Sequence, residues 1–590
     1  MKTFIVMLIV ALSVIIQTPG NTADARRELR LTDFLKTQPA GMISESSEPG
    51  KWELRSASFG RVLYSEGAYE LPELTYPLDL KGIYDIYVGL VEAPYSLDTS
   101  EWQGIHLKLT SDTWYTQICG GRTGLGRDWK NALLDDIYWK RADMTGQNII
   151  INQPFGRFFR PAGGIAYLRL VPISDEKIKA DQALREKKLS AGRKSVAGMA
   201  DFWSLVFVTG ETDQKVTRRL VDNYKNAGLD TLYFQINADA VVHYPSKVAQ
   251  MFGFKSSGEP REQASAFEKL LADHDPLKVA SEYAREKGIT FMPWFRVTNE
   301  QHLDNESLDY IHRFKAEQIR GADGQLERWP SLAYPQIREY KLAIIREILT
   351  NYKVDGILLD FQRTMPVIGY EEPVVKAYLE KYKVDVMAVP SERSRIRWKR
   401  FRAACVTEFV KGVRSLLDEA GKKQGVRLKL AVRVTQRDNL WKGLDVEYWV
   451  RKGMVDILIP SNYTWFDPTM SLAPFIKMVK GTKCKVCPAI NPFFAGGDDD
   501  AEHHPNKSAK EVAEIIIKRC SQGASNEEYM KAVLDDYAQG ADGVVFYEAE
   551  TMTHIPPLFP GRDGLLPMFQ SLADPSGAAL YYKTLTGREL

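Results

Sequence analysis

The chain has 590 residues, too many for one ordinary domain, and its 26% charged and 44% hydrophobic residues are those of a folded, soluble protein and not a disordered one. A formal net charge of +2, with Lys and Arg dispersed, gives no support for nucleic acid or a membrane surface as a partner. Five cysteines, an odd and sparse set, argue against a disulfide-built scaffold.

In chain order, residues 1–25 read as a secretory signal. Lys2 precedes an apolar run that ends near Ile16, and Ala23-Asp-Ala25 offers a small-residue cleavage site. The run is too short and wrongly flanked to span a bilayer. No Cys stands near the cleavage point for a lipid anchor, and no later segment is apolar enough to insert. The expectation is a secreted or periplasmic protein.

Residues 26–175 read as β. Trp52-Glu-Leu-Arg, Ile83–Leu90, Ile105–Leu109 and Ala166–Pro172 alternate in polarity between Gly, Pro, Asp and Ser turns, which suggests a sandwich of jelly-roll type. Trp102, Trp114, Tyr115, Trp129 and Trp139 could stack on sugar rings or simply fill a core. The charged stretch from Asp175 to Lys188 reads as a helical linker over 176–199.

From Asp201 a strand–helix alternation repeats eight times. The expected strands are Trp203–Thr209, Thr231–Asn237, Thr290–Arg296, Val354–Phe361, Arg427–Arg433, Val455–Asn462, Lys485–Asn491 and Gly543–Glu548. Helices are expected at Asp213–Ala227, Pro276–Lys287, Pro335–Tyr352, Arg395–Glu419, Asp445–Lys452 and Asn526–Gln539, several opened by Pro or closed by Gly. Eight such units over 200–575, followed by a tail at 576–590, predict an α/β fold of the (β/α)8 TIM-barrel class. A doubly wound sheet is the alternative, but no Gly-rich phosphate turn follows the first strand. Long insertions at about 238–275, 298–334, 362–394 and 493–525 follow strands and should rim the barrel mouth.

The most informative stretch is Val354-Asp-Gly-Ile-Leu-Leu-Asp360-Phe-Gln-Arg363. Strand alternation puts Gly356, Leu358 and Asp360 on one face and Ile357 and Leu359 on the other, so Asp360 should stand at the floor of a pocket inside the barrel. The plainer alternative is an Asp that caps the next helix or pairs with Arg363. Other strand ends add Glu211, Gln235, Asn237, Trp294, Arg296, Arg433, Asn462, Tyr463, Asn491 and Glu548, with Trp465 at the same rim. Such a ring suits sugar hydroxyls and ring faces. Arg296 and Arg433, on the flanking strands, should hold Asp360 ionised as nucleophile or base, so the proton donor must be another carboxyl in a drier place. Glu548 is the first candidate, with Glu211 and Asp467 as alternatives. Each has a structural alternative, a cap or an ion pair. Three arginines at one mouth would also suit a sulfated or uronic sugar.

Two further motifs carry little. Cys484-Lys-Val-Cys487 has metal-like spacing but no second pair, and reads as buried thiols or one bridge. The acidic run Gly496 to His504 fits no calcium loop and reads as a solvated tip.

The strand around Asp360 resembles the V-D-G-I-H-L-D-Y-x-R strand of the glycosyl-hydrolase-like family 10 barrels. Tyr448-Trp-Val-Arg-Lys-Gly-Met-Val-Asp-Ile-Leu-Ile-Pro-Ser-Asn-Tyr463 is similar to its W-x-x-x-G-x-V-D-x-x-x-P-x-x-Y segment, and Gly288–Phe295 to its third strand. The resemblance covers about 200–560. It implies a TIM barrel acting on a polysaccharide, with Asp360 as the prime catalytic candidate and Arg363 at the family's following Arg. Leu358 departs from the pattern, which carries His there, and so does the third-strand end Phe-Arg-Val-Thr. The expected protein is a secreted glycoside hydrolase with a carbohydrate substrate, no cofactor and no metal. A non-catalytic carbohydrate-binding or cell-surface protein is the alternative. A metal-dependent hydrolase would need clustered His and Asp at strand ends, which the barrel does not offer. Oligomeric state is not legible.

Overall fold

The computed structural model describes residues 27–65, 71–92, 105–112, 116–118, 133–153, 163–190, 192–238, 241–252, 261–297, 309–362, 367–437, 439–462, 470–492, 524–553 and 565–587. The signal at 1–25, Trp102, Trp114, Tyr115, Trp129 and the acidic run 496–504 lie outside them.

The N-terminal part is β-rich. Among the described residues a seven-stranded sheet and a four-stranded sheet are both mostly antiparallel. Trp52, Ile86 and Leu168 of the first share one apolar core with Leu107, Ile149 and Ile151 of the second. Trp139 is fully buried there, so it is core and not a sugar platform. The charged helix Asp175–Leu189 follows, capped by Ser174. It is tied at both ends of the chain, by Arg141 to Asp181 (2.8 Å) and by Arg185 to Asp535 (2.6 Å).

The remainder is an α/β barrel built on parallel strands. Strand one is Ser195–Ala200 and strand two Thr231–Gln235. Strand three is Thr290–Arg296, strand four Gly356–Asp360, strand five Lys429–Thr435 and strand six Ile457–Ser461. Strand seven comes as two short pieces, Lys485–Val486 and Ala489–Ile490, and strand eight is Gly543–Phe546. Neighbours pair in chain order. The first piece of strand seven pairs with strand six, the second with strand eight, and strand eight with strand one. The break falls at Cys487-Pro488, where Pro has no N–H for the ladder. Gly356 is needed inside: a Cβ there would lie 2.1 Å from the Lys429 carbonyl oxygen.

One element differs from the sequence expectation. Phe202–Thr209, overlapping the stretch expected as strand one, is a helix, and the true first strand begins within the stretch expected as linker. The run Phe-Trp-Ser-Leu-Val-Phe-Val-Thr is mostly apolar, and a short apolar run has no period that separates a strand from a buried helix. The actual strand, Ser-Val-Ala-Gly-Met-Ala, is mostly small residues, with Met199 as its one long side chain. It needs them, because a Cβ on Gly198 would meet the Tyr224 ring at 2.4 Å.

Candidate active site

Packing fixes which way each strand residue faces. Ala197, Met199, Tyr233, Trp294, Leu358 and Tyr547 form one buried cluster inside the barrel. Their alternates Val196, Phe234, Phe295, Leu359 and Phe546 belong to the larger core shared with the helices. The same alternation places Asp201, Gln235, Arg296, Asp360, Arg433 and Asn491 inward at the C-terminal strand ends, the face where barrels of this kind carry their chemistry.

Asp360 therefore faces the barrel interior, not the helical layer. Its backbone is in register with Arg296 on one side and Arg433 on the other. Its Oδ2 accepts from Trp294 Nε1 (2.9 Å) and Arg433 Nη1 (3.1 Å), and its Oδ1 from the Gln362 backbone N–H (2.8 Å). Its side chain is 0% exposed and that of Arg433 1%. The expected pocket floor is thus a sealed ion pair. Arg433 is itself fixed by Ser461 Oγ, which accepts from Nε (3.1 Å) and Nη2 (2.9 Å), and it lies 4.3 Å over the Tyr547 ring. Trp294 meets Tyr547 edge to face, so it orients Asp360 from within the core and offers no open sugar platform.

The second guanidinium is a correction. Arg296 does not bind Asp360; its Nη2 donates to Asp201 at 2.7 Å, and both groups are buried. Asp201 is the carboxylate that ends the true strand one, and the misplaced strand hid it. Arg296 stacks 4.7 Å over Trp294, so two Arg–Asp pairs meet at one indole. Glu211, expected at a strand end, instead follows the helix Phe202–Thr209 and is ion-paired to Arg219.

Asn237 is spent on the backbone of strand three: its amide donates to the Arg296 carbonyl (3.0 Å) and accepts from the Arg296 N–H (2.9 Å). Gln235 is buried beside it. Asn491 is buried and donates to the Asn462 carbonyl (3.3 Å), which joins the ends of strands six and seven. Arg363, Tyr463, Trp465 and Asp467 lie outside the described residues.

Past strand eight the chain turns. Glu548, half-buried, holds φ at 49°, a left-handed conformation uncommon for a residue with a side chain. Two residues on, Glu550 opens the short helix Glu550–Thr553 and is buried. Its Oε2 accepts from the Asp201 N–H (3.1 Å), while its Oε1 finds no hydrogen-bond partner. Burial first, then the charges of Glu548 and Asp201, push its pKa well above the usual carboxylate range.

A groove of about 510 Å³ lies elsewhere, between the strand Leu133–Asp143 and the loop after strand five, lined by Asp135, Arg400, Arg437 and Phe475 among others. It contains neither Asp360 nor Glu548. Among the described residues no cluster of His, Cys, Asp or Glu is suited to hold a metal ion, and Cys484 and Cys487 are buried free thiols.

Residues 198–483 match the family model described as "Glycosyl hydrolase-like 10". The match supports a carbohydrate-active protein and covers both Arg–Asp pairs. It stops before strand seven, so it leaves Asn491, Glu548 and Glu550 outside. A curated relative, an "S-layer-related protein" of Niallia circulans, is 24% identical over 324 residues, 48% of this chain and 19% of the relative. The chain thus spans about a fifth of that relative's length. Similar solved structures include the PgaB (BpsB) glycoside hydrolase domain from Bordetella bronchiseptica: 10% identity, 65% of this chain, 99% of that one, TM-score 0.37. Alpha-L-fucosidase isoenzyme 2 from Paenibacillus thiaminolyticus is 12% identical over 67% of this chain and 50% of that one, with a TM-score of 0.39.

Proposed function

We propose that the chain is a secreted glycoside hydrolase that cleaves glycosidic bonds in a polysaccharide or oligosaccharide with two carboxyl groups. The observation that carries this reading is the Asp360 carboxylate, held between Arg433 and Trp294 on the inner face of a barrel strand end. In this reading the fold is a full (β/α)8 barrel behind a β-sandwich domain at 26–175, with a signal peptide at 1–25 removed on export. Asp360 acts as nucleophile or base. A carboxyl of the Glu548/Glu550 turn protonates the leaving oxygen, and water completes hydrolysis at the anomeric carbon. The separation of the two carboxyls then sets the outcome, about 5–5.5 Å for retention and roughly 6.5–9.5 Å for inversion. The narrower reading, an anionic sulfated or uronic glycan, rests on Arg363, because Arg296 and Arg433 already pair with carboxylates. The test is Asp360→Asn assayed with wild type on neutral, sulfated and uronic glycans. A folded variant that keeps wild-type turnover rejects the role.

A second reading has its own support. Every oxygen of Asp360 is engaged and the side chain has no exposed surface, which suits a barrel that binds glycan without cutting it. The relative named for the S-layer fits a cell-surface role of that kind. Binding across a glycan panel with no product from any of them favours this second reading over the first.

A further inference from the structure

The long helix Ile396–Gln424 carries Trp398 and Arg402 beneath the segments that follow strands four and five. Arg402 is 1% exposed. Its Nη2 donates to the Trp441 carbonyl, but its Nε and Nη1 have no acceptor among the described residues. The Tyr370 hydroxyl and Trp398 Nε1, both buried, have none either. These groups are neighbours. The Tyr370 and Trp398 rings stack at 5.5 Å, and the Arg402 guanidinium carbon lies 5.7 Å from the Tyr370 ring centre. We propose that Arg402, Tyr370 and Trp398 form a buried binding site for one small monovalent anion of the halide class.

The chemistry of the unmet atoms selects the ligand. Guanidinium and indole N–H groups only donate, and a phenol can donate. The cluster therefore lacks acceptors. A water supplies two acceptor sites but brings two protons that need acceptors of their own, whereas an anion accepts from every side. A guanidinium out of water without a countercharge is costly, so one negative charge is what the site requires. Among the described residues no ion pair supplies it. Glu371 is near enough for its charge to act on Arg402, and its Oε2 is buried without a partner, but no ion pair joins the two; its Oε1 accepts from the Gly369 N–H (2.8 Å), and burial pushes its pKa up. Arg393, 5.4 Å over the Tyr370 ring, adds positive charge while its own donors bind the Val386 and Met387 carbonyls. Divalent sulfate would leave an excess negative charge in this dry setting; chloride or bromide balances Arg402 alone.

The test uses the full chain and reads binding, so it stands or falls apart from the hydrolase reading. Thermal unfolding is followed at fixed ionic strength while sodium chloride or bromide replaces sodium methanesulfonate. The expected result is a saturable rise in melting temperature of about a few degrees, as for any ligand that binds only the native state. The rise should vanish in Arg402→Met. It should need about tenfold more halide in Tyr370→Phe, which keeps the stacked ring and so guards against simple misfolding. Crystals grown in bromide should show an anomalous peak within hydrogen-bond reach of Arg402. Superposable chloride and methanesulfonate curves, or bromide crystals without that peak, overturn the proposal. A halide-independent wild type that Glu371→Gln strongly destabilises overturns it too, by showing Glu371 to be the countercharge.

Discussion

Replacing Arg433 by Met removes the one charged partner that Asp360 has among the described residues, in a place closed to solvent. The variant loses one hydrogen bond to Asp360, two to Ser461 and the cation above Tyr547. Trp294 and the Gln362 N–H still donate to Asp360, but two neutral donors do not replace a countercharge. Breaking a buried pair from one side costs about 3–5 kcal/mol, against about 0–1 kcal/mol for an exposed pair. The double variant Asp360→Leu/Arg433→Met removes both charges and fills the space with apolar atoms. It still strands Trp294 Nε1 and the Gln362 N–H, at about 1 kcal/mol each or more, while Ser461 Oγ keeps its bond to the Asn462 carbonyl. It should nevertheless be less destabilised than the sum of the two single variants, with a coupling of at least about 2 kcal/mol. Urea unfolding followed by tryptophan fluorescence measures all four proteins. A loss under about 1 kcal/mol for Arg433→Met would refute the reasoning, because that is the value of a pair water can reach.

Glu550 has its folded pKa raised above its ordinary value of 4.5, so its contribution to stability is full below that pH and is lost as pH rises through the folded value. Glu550→Gln should flatten that decline in a plot of melting temperature against pH, and parallel curves would contradict it. His243 behaves oppositely: burial foremost, opposed by Asp201 and aided by Arg296, pulls its pKa down from 6.5 to about 3. Its stabilisation is present above pH 6.5 and lost as pH falls toward 3, and His243→Phe, set among Phe252 and Phe267, should show a shallower acid limb. Burial pushes the Cys484 thiol up to about 12 and Cys487 higher still, so neither should react with a thiol reagent at pH 8 until the protein unfolds. Glu548→Gly relieves a left-handed φ and should gain up to about 1 kcal/mol in stability while losing turnover; a variant both more stable and fully active would remove Glu548 from the chemistry.

Much of the barrel was legible because its strands end sharply. Thr290–Arg296 and the helix Asn526–Gln539 have the limits the sequence predicts, and strands four to six fall within two residues of theirs. Parity did the rest: once Gly356, Leu358 and Asp360 were placed inward, the register that sets Asp360 between Arg296 and Arg433 followed. What parity could not give was where a long side chain goes. Arg296 lies level with Asp360 yet reaches the other way, to an Asp that sequence left in a linker-to-strand transition. The signal was present, since Asp201 follows six small or apolar residues directly, but the aromatic run after it looked more strand-like. Burial was not legible either, because an Asp at a strand end reads the same whether a cleft or a closed core lies above it.

Glu548, the acid of the proposed reaction, does not stand where strand alternation alone would put it. Alternation along strand eight turns Val545 and Tyr547 inward, which would send Glu548 outward among the helices. The left-handed φ at Glu548 breaks that alternation one residue past the strand, and the chain folds back so that Glu550 reaches the Asp201 backbone. The strained residue and the buried acid are therefore one device, built from three consecutive residues and anchored on the strand that sequence misplaced. The raised pKa of Glu550, set by burial and then by the charges of Glu548 and Asp201, makes this turn the place where the proposed two-carboxyl hydrolysis would find its proton donor.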